Sequence, residues 1–408
     1  MRCAVCTRCG KCGPHPAAPI SESGVAELPR LVPRAGSGAA VDIGSTTIVA
    51  RVYDLATGEL LHRAATFNPQ SKVAADVMGR ISAAMAGRLD ELRDLVRGAV
   101  RDCLGGFRIR EAVVAGNTTM LHLFAGASPA SYATAPFKSD RLFGERMEVD
   151  GMDVRLPRCA HGFFGADAVA AVRMSGMCAR GGCELLADIG TNGEIALWRG
   201  DRRELTVASV AAGPAFERPG ITGSQIIAAL ADALDDGTVD ETGRARGSLP
   251  GGLMQDDVRA VQLAKAAVRA GLDTLLAKSG VAYGDVTRFS LAGGFGSGLD
   301  VAKAARIGLF ARDLQPVAAV CGNLAIEGAT AALFDPAFGD ETDRIAHEAR
   351  HVELGGDPEF SDAFIEAISF DGTRKASASR RTSAALSNRS KERKCPAADS
   401  SLRRQARM

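Results

Sequence analysis

The chain is poor in aromatic residues, which make up 5% of its 408 positions, with one Trp (Trp198) and three Tyr. Basic residues are therefore not interleaved with the stacking surfaces that single-stranded nucleic acid requires, and no nucleic-acid partner is expected. No apolar run approaches the roughly 18–20 residues of a membrane-spanning helix, so no membrane role is expected either. The N-terminus has no apolar core of a secretory signal, which points to a cytoplasmic protein. Net charge is almost absent, at +1. Ten cysteines in a chain of this length do not make a disulfide-stapled miniprotein.

What is present is an ordinary globular composition, 46% hydrophobic and 24% charged, long enough for two domains. The near-zero charge hides an asymmetry. Residues 371–408 hold eleven Lys/Arg against three acids, a net of +8, so the rest of the chain carries −7. That tail has seven Ser and almost no large apolar side chains, so it reads as disordered. Cysteines are uneven too: Cys3, Cys6, Cys9 and Cys12 fall in the first twelve residues.

Composition shifts divide the chain. Residues 1–13 are a cysteine motif and 14–38 a Pro/Gly/Ser-rich linker. AAVDIGSTTIVARVYD begins a β-meander at residue 39, followed by helical periodicity over 74–103 and a strand, EAVVAG, at 111–116. The same order returns from 184. LLADIGTNGEIALWRG and LTVASVAAG are three strands, a helix follows at about 256–279, and FSLAGGFGSG is a strand and glycine turn. DIGST at 42–46 and DIGTN at 188–192 stand 146 residues apart, the mark of an internal duplication. The expected units are 39–183, 184–340, a C-terminal extension over 341–370, and the tail.

The two Asp-Ile-Gly turns carry the chemistry. A hairpin turn rich in Gly, Ser and Thr presents N–H groups and hydroxyls to phosphate oxygens. An Asp just before it can hold a hydrated Mg2+ that bridges phosphates. Two such turns across a cleft grip a polyphosphate from both sides.

Five pieces in this order resemble the actin/Hsp70/sugar-kinase (ASKHA) superfamily. They are Asp42–Thr47, Gly165-Ala166-Asp167, Asp188–Glu194, Ala292–Gly296 and Asn323–Ala332. The resemblance implies an α/β fold of duplicated RNase H-like halves with a nucleotide cleft between them. NPQSKVAADVMGRI (68–81), AGNTTM (115–120), GFFGAD (162–167), AAGPAFE (211–217) and LAGGFGSGLD narrow it to the reductive activators of corrinoid proteins. Those ATPases return a Co(II) corrinoid to the methyl-accepting Co(I) state. They work as dimers on a corrinoid methyl-carrier, with an electron donor such as a ferredoxin.

The resemblance implies roles by residue. Asp42 and Asp188 organise Mg2+ and the attacking water. Ser45, Thr46, Thr47, Thr191 and Asn192 cradle the phosphates of ATP, and Gly293, Gly294 and Gly296 lie against adenosine. Asp167 and Glu327 transmit closure, and Asp167 reaches the metal through water. The matching motifs add Gly44, Asn117, Thr118, Gly190, Gly193, Glu194 and Gly213 to the cofactor-binding set. His122, two residues after AGNTTM, lacks ligand spacing and reads as a structural histidine, with an approach to the corrinoid face as the alternative.

The sequence also departs from that family. Relatives carry an N-terminal ferredoxin domain, and here only C-x2-C-x2-C-x2-C stands in its place. That spacing differs by one residue from the bacterial ferredoxin run. Cys3, Cys6, Cys9 and Cys12 are therefore open to a [4Fe–4S] cluster, zinc, or no metal. Arg218 follows AAGPAFE where relatives have Gly, and 218–256 is variable. Other readings of the fold also stand. One is an activator of a 2-hydroxyacyl-CoA dehydratase, with Cys178 and Cys183 flanking two glycines. The others are a small-molecule kinase and a nucleotide-dependent scaffold.

Overall fold

A computed structural model describes residues 30–135, 137–216, 221–295 and 298–370. The four N-terminal cysteines, Gly296, Arg218 and the basic tail lie outside the described residues.

The first Asp-Ile-Gly segment ends β1 (Ser37–Ile43). With β2 (Thr47–Asp54) and β3 (Leu60–Phe67) it forms an antiparallel meander. β4 (Ile109–Gly116) then joins β1 in parallel, and the hairpin of β5 (Glu145–Val149) and β6 (Met152–Leu156) completes a sheet of order β3-β2-β1-β4-β6-β5. The second Asp-Ile-Gly segment ends β7 (Cys183–Ile189), which leads into β8 (Gly193–Arg199) and β9 (Glu204–Val210). β10 (Val286–Gly293), β11 (Ala318–Gly322) and the short β12 (Arg350–His351) give the order β11-β10-β7-β8-β9-β12. Overlaid, 3-2-1-4-6 matches 9-8-7-10-11, so the duplication read from DIGST and DIGTN is a duplication of topology.

Strand alternation explains the layers. Ala39, Val41 and Ile43 are buried against one outer layer, formed by α1 (Val77–Ala83), α2 (Leu89–Cys103) and α3 (Thr118–Ala125). The periodicity over 74–103 is thus two helices. Asp76 caps the first, and Gly87, at φ 88°, breaks the run before α2. Ala40 faces the opposite way, into a central core that also receives Leu186, Ala196 and Val207 from the second sheet. Between the two sheets lie α4 (Ala166–Ser175) and two helices from later in the chain. The second sheet's outer face is covered by α5 (Gly223–Asp235), α6 (Gln255–Lys278) and α7 (Val301–Arg306).

The chain's end crosses back. α8 (Leu324–Phe334) packs on α4, β1 and β4 of the first half, and α9 (Pro336–Glu348) follows it there through Arg173–Glu341 and Arg155–Asp343 ion pairs. Residues 350–351 then extend the second sheet beside β9, and α10 (Pro358–Ala367) packs on α6. Burying α8 between two sheets removes more apolar surface from water than leaving it on one. The α4–α8 crossing is close because small residues meet there. A Cβ at Gly328 would stand 2.7 Å from Ala170 Cβ and 2.9 Å from its carbonyl oxygen.

Candidate functional site: a carboxylate-lined cleft between two hairpin tips

Asp42 and Asp188 occupy equivalent positions, one residue before the end of β1 and of β7. Alternation turns both toward the central layer, at its open end. Their hairpins differ by one residue. Ile43 pairs with Ile48 across a four-residue tip, and Ile189 pairs with Gly193 across three. The tips meet, with Thr46 Oγ1 lying 2.9 Å from Thr191 Oγ1.

Four carboxyl groups gather below that contact. Glu194 is the direct cross-strand partner of Asp188, a register that places the two side chains on one face. Asp167 stands in the first turn of α4 and adds a third carboxyl group. Burial is the largest influence on all four. It pushes Asp42 up to about 6, even though Asn323 and the Arg51 charge pull the other way. Asp188 is pushed up to about 7 by burial and by Asp42. Asp167 is held well above the usual carboxylate range first by burial and then by Asp42 and Asp188, and Glu194 first by burial and then by Asp167, Asp188 and Asp42. Like charges crowded in a poorly solvated space raise one another's pKa in this way.

This donor set fits a hard divalent cation. Among the described residues no three His, Cys, Asp or Glu side chains converge on one point as direct ligands.

The glycines read from the motifs have distinct jobs. Gly293 has φ 105°, and a Cβ there would fall 2.3 Å from Ile189 O and 2.7 Å from Asp188 Oδ1. The Gly294 N–H donates to Ile189 O at 3.1 Å, so this turn lies directly on the second hairpin. The Gly213 N–H donates to Thr191 O at 2.7 Å, holding the tip from its other side. The Gly44 N–H closes the first tip on Thr47 O, and the Gly190 N–H closes the second on Asn192 O. At Gly193 a Cβ would press on Val210, a packing constraint.

Some expected residues do other work. Asn117 caps α3 through the Met120 N–H and donates to Ser45 Oγ at 3.0 Å, so it holds a side chain of the first hairpin tip. Thr118 is fully buried and donates its hydroxyl to His161 O at 2.6 Å, which closes it off from the cleft. Its position inside the α3 N-terminus decides this. Glu327 pairs with Arg51 at 2.8 Å, linking α8 to β2 beside Asp42. His122 is also fully buried, packed edge-on against Tyr132 and Phe143, so it presents no surface to a corrinoid. Cys178 packs into the central core and Cys183 into the second sheet's outer core, and burial raises both thiols.

Four residues of the site carried no assigned role. Asn323 caps α8 and donates to Asp42 Oδ2 at 3.2 Å. Its signal is an Asn placed just before an apolar helical run. Arg51, in TIVARVYD, alternates onto the face of its pairing partner Ala40, an inward charge that asks for a partner. Asn68 and Arg80 lie behind the first hairpin.

The fold and cleft define a duplicated ASKHA-type nucleotide-cleft protein. Residues 37–180 match the RACo middle region, and residues 182–219 and 252–380 match the C-terminal ASKHA domain of RACo. The corrinoid activation enzyme RamQ of Eubacterium limosum is 30% identical over 419 residues, covering 80% of this chain and 69% of that protein. The chain is also 24% identical, over 66% of its length and 65% of the relative's, to the Methanosarcina barkeri [Co(II) methylated amine-specific corrinoid protein] reductase. A solved structure, the reductive activator for corrinoid, iron-sulfur protein, matches 82% of this chain and 66% of its own at TM-score 0.76 and 26% identity. The chain belongs to the RACo family of corrinoid reductive activators. It spans about two thirds of the length of the relatives it matches. The interval between the two C-terminal match segments, 220–251, holds α5 and falls within the stretch read as variable.

Proposed function

We propose that this protein couples ATP hydrolysis to the one-electron reduction of a corrinoid protein, taking Co(II) to Co(I) so that the cobalt can accept a methyl group. The observation that carries the reading is the carboxyl cluster enclosed between two phosphate-type hairpin tips. Kinship with proteins named as corrinoid activators supplies the substrate class.

The balance is simple. ATP and water give ADP and phosphate, and a low-potential one-electron donor such as a ferredoxin gives one electron to Co(II). Each 100 mV uphill costs about 2.3 kcal/mol for one electron. Nucleotide binding can supply this only if it favours the conformation in which Co(I) is the better-held state.

Within the cleft, Ser45, Thr46, Thr47, Thr191 and Asn192 bind the phosphates, and Gly293 and Gly294 accept adenosine against a bare backbone. Asp42 and Asp188 would hold a hydrated Mg2+, which would supply neutralisation of phosphate charge. Asp188 and Asp42, facing the space between the two tips, would orient the attacking water and accept its proton. Closure would turn on the α4–α8 crossing, with Asp167 and Glu327 reporting the state of the cleft to these helices. The N-terminal cysteines stand where relatives carry a ferredoxin and are the candidate electron entry as a [4Fe–4S] site. A homodimer is the expected assembly.

The test is anaerobic. The full chain, a chemical reductant, Mg-ATP and a Co(II) corrinoid protein are mixed, and Co(I) absorbance is followed. ATP-dependent Co(I) is expected. Its failure across several corrinoid partners, alongside ATP-dependent phosphorylation of an added acid or sugar, would replace the reading with a kinase. Iron and sulfide content after anaerobic purification decides cluster against zinc.

A further inference from the structure

The first hairpin tip is held from behind through three consecutive carbonyls. The Asn68 side-chain amide donates to Gly44 O at 2.9 Å. Arg80 Nη2 donates to Ser45 O at 2.7 Å. The Asn68 backbone N–H donates to Thr46 O at 2.7 Å. A trans peptide is planar, with its C=O and the following N–H on opposite sides. Fixing these three carbonyls therefore turns the N–H groups of Ser45, Thr46 and Thr47 away from Asn68 and Arg80. Among the described residues the Ser45 and Thr46 N–H groups have no hydrogen-bond acceptor.

The holder is itself rigid. Asn68, Gln70 and Arg80 are all fully buried. Asn68 Oδ1 caps the Gln70 N–H, and Gln70 donates to Leu92 O at 2.8 Å, tying the group to α2. Arg80 spends its other donors on Ala74 O, Gln70 Oε1 and Met120 Sδ. These acceptors are all uncharged. Asp76 attracts Arg80 from a distance, and no carboxylate forms an ion pair with Arg80 among the described residues. A buried guanidinium without a carboxylate is costly. Its cost makes sense where a nearby site is to receive negative charge.

We propose that Asn68 and Arg80 are positioning residues of the nucleotide site: they clamp the Gly44, Ser45 and Thr46 carbonyls so that the Ser45 and Thr46 amide donors stand ready for phosphate oxygens. Arg80 also leaves an unneutralised positive charge directly behind them. The inference rests on the nucleotide-cleft reading above and deepens it. It differs from a packing role because it concerns the phosphates and not the adenosine.

The test compares Arg80→Gln, Arg80→Lys and Asn68→Ser with the wild-type full chain. Dissociation constants for Mg-AMPPNP and for adenosine are measured by calorimetry, with thermal midpoints in parallel. Arg80→Gln and Asn68→Ser are each expected to weaken Mg-AMPPNP at least tenfold and to leave adenosine within twofold. Arg80→Lys keeps a charge and one donor, so an intermediate loss is expected. Equal weakening of both ligands, or a lowered midpoint with unchanged Mg-AMPPNP affinity, would overturn the positioning role. Each substitution is scored separately, so one that fails to fold leaves the other to decide. A wild-type chain that binds neither ligand would instead overturn the nucleotide reading itself.

Discussion

Replacing Asp188 by Asn tests whether the carboxyl cluster is a strained, charge-crowded site. In the fold Asp188 titrates at about 7, against an ordinary value of 3.8, chiefly because it is buried and then because Asp42 repels its charge. Roughly three pKa units at 1.36 kcal/mol each set a ceiling of about 4 kcal/mol on the cost of ionising it there. Between pH 4 and 7 the folded state keeps this proton while the unfolded chain releases it. The folded state then binds more protons, so stability falls as pH rises through that window. Asp188→Asn has nothing to ionise and also relieves Asp42 and Asp167 of one like charge. Without nucleotide it is expected to be more stable than wild type by about 1–4 kcal/mol at pH 8, with the gain shrinking toward zero near pH 4. Guanidinium unfolding followed by circular dichroism at pH 4.5, 6 and 8 measures this. A gain independent of pH, or no gain at pH 8, would refute the electrostatic account. If the proposed Mg2+ site is right, the same variant should lose most of the stabilisation expected from Mg-AMPPNP on the wild type.

Gly293→Ala should cost about 1–3 kcal/mol and abolish nucleotide binding, because its Cβ would meet Ile189 O at 2.3 Å in a left-handed conformation; unfolding and calorimetry read both effects. Gly328→Val drives a branched side chain into Ala170 at the α4–α8 crossing, with about 1–3 kcal/mol of destabilisation expected; ATP turnover should fall further than ATP affinity. His161 and His351 stack with ring centroids 3.6 Å apart across the two halves, and burial pulls both below the usual histidine range, His351 to about 3. Such groups stabilise the fold above pH 6.5 and lose that contribution as pH falls, so His351→Phe should flatten the stability loss between pH 6.5 and 4. A variant whose acid loss matches wild type would show that the pair does not govern it.

Much of the site was legible in the chain before any fold. Asp-Ile-Gly followed by small hydroxyl residues is a local hairpin chemistry, and its repetition 146 residues on exposed the duplication. The succession of strands and helices along each half, the α6 helix and the equivalence of Asp42 and Asp188 follow from local periodicity and from the repeated motif, which act over a few residues. The tertiary structure decided what depends on long-range packing. It took Thr118 and His122 out of the cleft by burying α3. It returned α8 to the first sheet, bringing Asn323 and Glu327 beside Asp42 and Arg51 across some 280 positions. It set Arg80 beneath Ser45, although nothing in VMGRISA separates that arginine from a solvated one. Side-chain spacing fixes which face a residue takes on its own element, but which element covers that face is chosen by the packing of the whole core.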